Sequence, residues 1–197
     1  MQVVLATGNA GKQREFAAML GPLGIELVLQ SAFGIEPPDE TGTTFEANAL
    51  LKARHAAARS GLMALADDSG LEVDALGGRP GVYSARFAGP GASDADNNAL
   101  LARELGGVPM ELRTARYRAV LALVHSAGDA APLIAEGSWE GHIALEPAGT
   151  GGFGYDPWFI PEGHAVTSAQ LAPETKNALS HRGRALAALV AQLPAWR

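Results

Sequence analysis

The fold is decided by a stretch near the start of the chain, VVLATGNAGKQREFAAML, which spans residues 3–20. Residues 3–6 form an apolar run typical of a buried strand, and residues 13–20 repeat apolar side chains at helical spacing. Between them lies the loop Thr7–Lys12, which contains two glycines. A strand joined to a helix by such a short loop is the unit from which α/β folds are built.

The loop is a candidate phosphate site, and its candidate residues are Thr7, Gly8, Asn9, Ala10, Gly11 and Lys12. Backbone N–H groups converge at a helix start, and the helix dipole adds partial positive charge there. The loop is not a Walker A motif, because Ala6 and Gln13 stand where that motif has Gly and Ser or Thr. The alternative is an ordinary strand-to-helix turn.

Lysine is scarce in this chain. Of 15 basic residues only three are lysine, namely Lys12, Lys52 and Lys176. A compact ammonium and a planar guanidinium are not interchangeable, so a lysine kept in an arginine-rich chain indicates a functional position at Lys12. Lys52 is predicted to be only a charge on a helix surface.

Composition limits the classes of function. A length of 197 residues fits one domain, residues 1–197, of one or two lobes and is ample for a sizeable core. The net charge of −6 argues against binding to nucleic acid or to an anionic membrane. A phosphorylated ligand would therefore need a local cationic pocket. The chain has no cysteine, signal peptide or membrane-spanning apolar run, which predicts a cytoplasmic protein.

The order of apolar segments predicts a mixed sheet flanked by helices. Strands are expected at 3–6, 25–29, 62–66, 71–76, 114–125, 132–145 and 157–160, and helices at 13–20, 43–60, 93–105 and from Ser180 onward. Thr43 and Glu46 are expected to form a capping box. The strand at 62–66 is expected to stop at Asp67.

Asp67-Asp68-Ser69-Gly70 follows a buried strand at the sheet edge where α/β proteins bind ligands. Adjacent carboxylates in an extended segment face opposite ways, so one of them should enter the site. A carboxylate beside a phosphate loop suggests Mg²⁺. The alternative is a carboxylate that caps a turn. Among the acidic residues of the loop at 31–42, Glu40 is singled out because the turn Thr41-Gly42 could fold it back toward the strand ends.

Two further segments are candidates for holding a base. The segment 149–156 has four glycines in its first six residues, and its Phe153 could stack on a base while Asp156 accepts from ring nitrogens. A glycine-rich hairpin with a core aromatic is the alternative. Lys176 and the run Ser180-His181-Arg182 form the last cluster. Cations at a helix start oppose the dipole, which indicates either a ligand or a salt-bridged surface.

Six segments in order resemble the inosine triphosphate pyrophosphatase family. They are Thr7–Lys12, Glu40-Thr41-Gly42 with Phe45-Glu46 and Asn48-Ala49, Ala66–Gly70, Pro80–Arg86, Gly151–Pro157 and Ser180–Gly183. The resemblance implies an elongated, two-lobed α/β fold, a homodimer and dependence on Mg²⁺. It implies hydrolysis of the α–β phosphoanhydride of dITP, ITP or XTP to monophosphate and pyrophosphate.

The resemblance also implies roles for individual residues. Thr7 to Lys12 would hold the triphosphate, Glu40 and Asp68 the metal, and Asp68 would also activate the water. Contacts with the substrate would come from Ser69, Phe153, Gly154, Tyr155, Asp156, Lys176, His181 and Arg182. Two other interpretations stay open: a pyrophosphatase for other modified nucleotides, and a sensor that binds a triphosphate without cleaving it.

Overall fold

The computed structural model describes residues 2–196. Its strands are β1 (Gln2–Ala6), β2 (Glu26–Leu29), β3 (Ala64–Val73), β4 (Thr114–Val124), β5 (Leu133–Ile143) and β6 (Phe159–Pro161). Its α-helices are α1 (Ala10–Leu20), α2 (Phe45–Ser60), α3 (Asp94–Glu104), α4 (Pro173–Leu179) and α5 (His181–Trp196). None of the helices within 2–196 combines the length and the apolar character that crossing a membrane requires.

The strands form one mixed sheet in the order β2-β1-β3-β4-β5-β6. Strand β1 is parallel to both of its neighbours, with Val4 opposite Val28 of β2 and Ala64 of β3. At the other end of the order β5 and β6 are antiparallel, with His142 opposite Ile160. The parallel part is built from βα units and so brings the carboxyl ends of β1 and β3 to one edge, which is where α/β sheets bind ligands. The mixed sheet predicted from the sequence is confirmed.

The chain divides into two compact units. Unit 1 takes residues up to Asp68, 119–137 and from Arg182 onward, and unit 2 takes 69–118 and 138–181. Each has its own apolar core. Core side chains of unit 1 include Leu5, Phe16, Leu65, Leu121, Leu186 and Leu189. Those of unit 2 include Leu71, Leu101, Tyr117, Trp139, Tyr155 and Phe159. The helix expected from Ser180 onward is confirmed as α5, which contributes Leu186 and Leu189 to the core of unit 1.

Three local predictions are corrected. Strand β3 does not stop at Asp67 but runs through Gly70 to Val73, because its carboxylates find cationic partners and need no solvent. Helix α2 is capped by Thr44, whose hydroxyl oxygen accepts from the backbone N–H of Ala47, so the capping box expected of Thr43 and Glu46 is wrong. The short helix α4, which begins with Pro173, was not predicted.

Candidate active site

Strand β3 presents two adjacent buried carboxylates to different partners. Asp67 Oδ2 lies 2.7 Å from Lys12 Nζ, and Asp68 Oδ1 lies 2.7 Å from Lys52 Nζ. Side chains of successive strand residues point to opposite faces, so each carboxylate meets a different helix. The two carboxylates separate, as the sequence argument expected, but both have partners: Asp67 contacts Lys12 in the first turn of α1, and Asp68 contacts Lys52 of α2.

The loop at the start of α1 leaves backbone accessible. Asn9 caps the helix, its side-chain oxygen accepting from the N–H of Lys12 at 3.0 Å. A Cβ added at Gly8 would meet nothing within 4 Å, so open space adjoins the backbone there. Thr7 Oγ1 accepts from the N–H of Asn9 at 3.1 Å, which fixes the turn. The loop therefore offers a rigid helix start next to Lys12, as a phosphate cradle requires.

Asp67 holds two cations in place. Besides Lys12 it accepts from Arg182, whose Nε and Nη2 each lie 3.3 Å from Oδ2. Arg182 also donates to Glu15 of α1. Burial alone would raise the pKa of Asp67, but Lys12 and Arg182 hold it well below its usual range. Burial lowers the pKa of Lys12, against the attraction of Asp67. Asp67 therefore stays ionised and positions the ammonium at the end of the loop.

Lys52 is not the surface charge that the sequence suggested. It is 9 % exposed, and its Nζ lies 2.8 Å from Glu40 Oε1 and 2.7 Å from Asp68 Oδ1. Burial opposes its charge, but the two carboxylates outweigh it and raise the pKa of Lys52. Burial raises the pKa of Asp68, with Lys52 opposing. The scarcity of lysine, applied only to Lys12, would have found this residue too.

Asn48 is a second residue that sequence reasoning did not assign to the site. It is fully buried. Its Nδ2 donates to Asp68 Oδ2 at 3.2 Å, and its Oδ1 accepts from the N–H of Gly42 at 2.8 Å. Asn48 thereby fixes the carboxylate of Asp68 and the turn that follows Glu40. A Cβ at Gly42 would lie 2.9 Å from the Cβ of Ala47, so this close approach requires glycine.

Glu40 and Asp68 fit a divalent cation. In residues 2–196 no three acidic or histidine side chains gather as a complete metal site. However, one oxygen from each of these carboxylates already converges on a single cation, the ammonium of Lys52. Mg²⁺ in nucleotide enzymes takes one or two carboxylates and completes its shell with water and substrate phosphates. Two convergent carboxylates beside a phosphate loop are the donor set that this mode needs.

A second cluster, the Asp156 cluster, lies in unit 2 and consists of Phe153, Asp156, Ser168 and Lys176. Asp156 Oδ2 accepts from the N–H of Phe153 and from Lys176 Nζ, each at 2.8 Å. Its Oδ1 accepts from Ser168 Oγ at 2.8 Å. Lys176 Nζ also lies 5.1 Å from the centre of the Phe153 ring. Asp156 is 3 % exposed and its oxygens hold the loop, and the prediction that it accepts a hydrogen bond from a ring nitrogen of a base stays a prediction.

The remaining candidates are placed separately. His181 is buried and stacks on Tyr117 with ring centres 4.7 Å apart. Arg182 contacts Asp67 and Glu15, so its donors already have carboxylate partners. Its contact with a base stays a prediction. Ser69 follows Asp68 on β3 and is half-buried. Gly154 and Tyr155 continue the loop of the Asp156 cluster, and Tyr155 donates to the carbonyl of Ser84 at 2.7 Å.

A mixed α/β sheet with a lysine-bearing loop at a helix start, beside buried carboxylates, defines the class of α/β enzymes that act on phosphorylated substrates. The sequence profile of the Ham1 family matches residues 3–192. The chain belongs to the Ham1 family.

Individual relatives agree with this membership. The dITP/XTP pyrophosphatase of Methylococcus capsulatus is 55 % identical over 194 residues, covering 98 % of this chain and 96 % of that protein. The dITP/XTP pyrophosphatase of Shigella flexneri is 53 % identical over 189 residues, which is 96 % of each chain. The structure of a HAM1 protein from Coxiella burnetii superposes with a TM-score of 0.90 at 46 % identity and covers 99 % of both chains.

Proposed function

We propose that this chain is a nucleoside-triphosphate diphosphatase that converts dITP, ITP and XTP to the monophosphate and pyrophosphate. This activity removes non-canonical purine nucleotides from the nucleotide pool. The names of the relatives at 53–55 % identity support the substrate class. The observation that carries the chemistry is the pair of buried acid–lysine contacts on β3, Asp67 with Lys12 and Asp68 with Lys52.

The triphosphate is assigned to unit 1. The accessible backbone at Gly8 and the ammonium of Lys12 would bind phosphate oxygens. The substrate contact expected of Ser69, which lies in unit 2, stays a prediction. Asp67 keeps Lys12 charged and oriented. Enzymes that transfer phosphoryl groups obtain most of their catalysis from positioning the substrate and neutralising its charge. A preorganised site with a fixed ammonium group meets both needs.

Asp68 is the general base. It takes a proton from a water molecule whose oxygen attacks the α-phosphorus, and the bond from that phosphorus to the bridging oxygen of the β-phosphate breaks. Pyrophosphate leaves with the bridging oxygen. Burial raises the pKa of Asp68, which strengthens it as a base, while Asn48 and Lys52 fix its orientation.

Glu40 and Asp68 would hold Mg²⁺. Bound there, the ion would neutralise phosphate charge and polarise the reacting phosphoryl group. Lys52, whose ammonium contacts both carboxylates, is assigned to share this task by donating to a phosphate oxygen.

The base is assigned to unit 2, where Phe153 to Asp156 and Lys176 would enclose it with His181. Arg182 lies in unit 1, where its donors contact Asp67 and Glu15, and its contact with a base stays a prediction. Stacking on Phe153 is the main favourable contact, worth about 1–3 kcal/mol for an aromatic side chain on a base. We place the activity in the cytoplasm, where the free nucleotide pool lies, and propose a homodimer.

A panel of nucleoside triphosphates with Mg²⁺, followed by phosphorus NMR, tests the proposal. We expect ITP, dITP and XTP to give monophosphate and pyrophosphate, with no turnover when EDTA removes the metal. Orthophosphate as the primary product would falsify the choice of anhydride. Tight binding of ITP without any turnover would instead indicate a nucleotide sensor, and turnover of other modified nucleotides alone would indicate a different base pocket.

A further inference from the structure

Gly154, in the middle of the loop assigned to the base, is held on both sides by helix α3. Its N–H donates to Asp94 Oδ2 at 2.7 Å, and its carbonyl accepts from Asn98 Nδ2 at 2.9 Å. Asp94 and Asn98 are four residues apart and therefore lie on one face of α3. The two bonds fix the peptide groups on either side of one glycine.

Packing does not fix this glycine. Its φ is +61°, and a Cβ added there would meet nothing within 4 Å. A glycine in open space has wide conformational freedom, so its orientation depends on hydrogen bonds. The Asp156 cluster anchors Phe153 through its N–H, and the N–H of Asp156 donates to the Phe153 carbonyl at 3.3 Å. Helix α3 adds the bonds to the N–H and the carbonyl of Gly154.

Helix α3 is itself fixed at both ends. It begins with a capping box in which Ser93 and Asp96 satisfy each other's backbone N–H groups. Its other end buries Leu101 and Leu105 completely in the core of unit 2. Asn97 also fixes a neighbouring loop, accepting from the N–H of Ala88 at 2.8 Å and donating to Ala85.

We propose that Asp94 and Asn98 are positioning residues for base recognition, which act through Gly154 to set the orientation of Phe153. The proposal rests on the proposed function, because it requires the Phe153 loop to bind the base. The pKa of Tyr155 agrees with the position of Asp94 beside this loop. Burial raises that pKa, and the negative charge of Asp94 raises it further. The side chains of α3 need not touch the substrate themselves.

The variants Asp94→Ala and Asn98→Ala test the role in binding. Calorimetry would measure the affinity for inosine monophosphate, which carries the base, and for inorganic triphosphate, which does not. We expect a loss of roughly fivefold to tenfold for the monophosphate, as one exposed hydrogen bond allows, and no change for the triphosphate. In turnover of ITP the loss should appear in KM, with kcat within about twofold.

Two controls separate positioning from helix stability. Asp94→Asn keeps an oxygen that can accept from Gly154 and should recover most of the affinity. Asp96→Ala breaks the capping box but touches no part of the loop. It should destabilise α3 by about 1 kcal/mol, as loss of a cap does, and leave the affinity for inosine monophosphate unchanged. An equal loss of affinity in Asp96→Ala and Asp94→Ala would overturn the proposal.

Hydrogen exchange of the Gly154 amide supplies a readout that does not depend on activity. We expect its protection to fall in Asp94→Ala and to be kept in Asp96→Ala. If the Gly154 amide loses protection in Asp94→Ala while the affinity for inosine monophosphate is unchanged, the positioning role is contradicted but the proposed function is not. A wild-type protein that binds triphosphate but not inosine monophosphate would contradict the base-binding role of the loop, and with it the proposed function.

Discussion

At the scale of single residues, Asp67 and Asp68 are adjacent on β3, but their pKa values are shifted in opposite directions. Asp67 has a pKa far below its usual range because Lys12 and Arg182 face it, whereas burial raises the pKa of Asp68. Separating two carboxylates in this way is how one site obtains a permanent anion and a base. Asp67 is the fixed charge, and Asp68 is the group that can take a proton.

Asp68→Asn keeps the shape of the side chain but removes the carboxylate that is proposed to hold the metal and to act as the base. Because loss of a general base alone lowers rates by about 10²–10⁴, we expect kcat for ITP to fall by at least that factor while the substrate still binds. Steady-state kinetics and calorimetry measure the two effects. Asp39→Asn, at an exposed carboxylate of the loop that carries Glu40, is the matched control and should turn over normally.

Lys12→Arg keeps the charge and changes its shape. A planar guanidinium cannot replace a compact ammonium beside Asp67 in a tight loop, so kcat/KM for ITP should fall by roughly tenfold or more. Arg14→Lys makes the reverse exchange at an exposed position of the same helix and should have no effect. If both variants matched the wild type, the argument from the scarcity of lysine would be wrong.

At the scale of elements, the sequence predicted what depends on local pattern. The predictions are confirmed for strands β1, β4 and β5 and for helix α3. The spacing of apolar residues and the capping residues specify these elements locally. The extension of β3 could not be predicted, since Asp67 and Asp68 count as breakers until their partners are known. Asn48 was missed for the same reason, because its role exists only once α2 lies beside β3. Lys52, in contrast, could have been found from the scarcity of lysine.

The pairing of β5 with β6 depends on a glycine. A Cβ at Gly141 would come within 2.7 Å of Phe159 Cζ and would also contact the carbonyl oxygen of Ile160. Overpacking of this kind typically destabilises by 1–3 kcal/mol, so Gly141→Ala should lower the free energy of unfolding by about that amount. Urea denaturation measures it.

Gly128 is the control for that experiment. It lies in the turn between β4 and β5, and a Cβ there would meet nothing within 4 Å. Gly128→Ala should therefore be neutral, or slightly stabilising because it restricts the unfolded chain. A loss of stability at Gly128 as large as that at Gly141 would remove the steric explanation.

At the scale of the whole molecule, the net charge of −6 is at odds with an anionic substrate. The described contacts place Lys12, Lys52 and Arg182 against carboxylates of unit 1, so the cations proposed to contact the substrate are also the partners of internal ion pairs. Stability and substrate binding consequently share the same charges. A change that weakens the site should also be visible in unfolding.

Asp67→Asn tests that link. Removing the carboxylate leaves Lys12 and Arg182 buried without it, and breaking a buried pair typically costs about 3–5 kcal/mol; Arg182 keeps Glu15, which favours the low end. Because the folded pKa of Asp67 lies below its unfolded value of 3.8, its contribution is complete above about pH 5 and is lost as the pH falls.

The difference in melting temperature between wild type and Asp67→Asn should therefore be large at pH 7 and shrink toward pH 3. Calorimetry over that range measures it. A difference that stays constant with pH would mean that Asp67 has the same pKa in both states, contrary to its contacts.

The three lysines have a practical consequence for covalent labelling. All three are engaged with carboxylates, and their side chains are only 14 %, 11 % and 8 % exposed for Lys12, Lys52 and Lys176. The lysine ammonium groups are thus all in the two proposed binding regions, and arginine side chains are not modified by acylating reagents. An amine-directed dye or cross-linker that reaches a lysine here would report on occupancy of the site, and bound nucleotide should shield the protein from it.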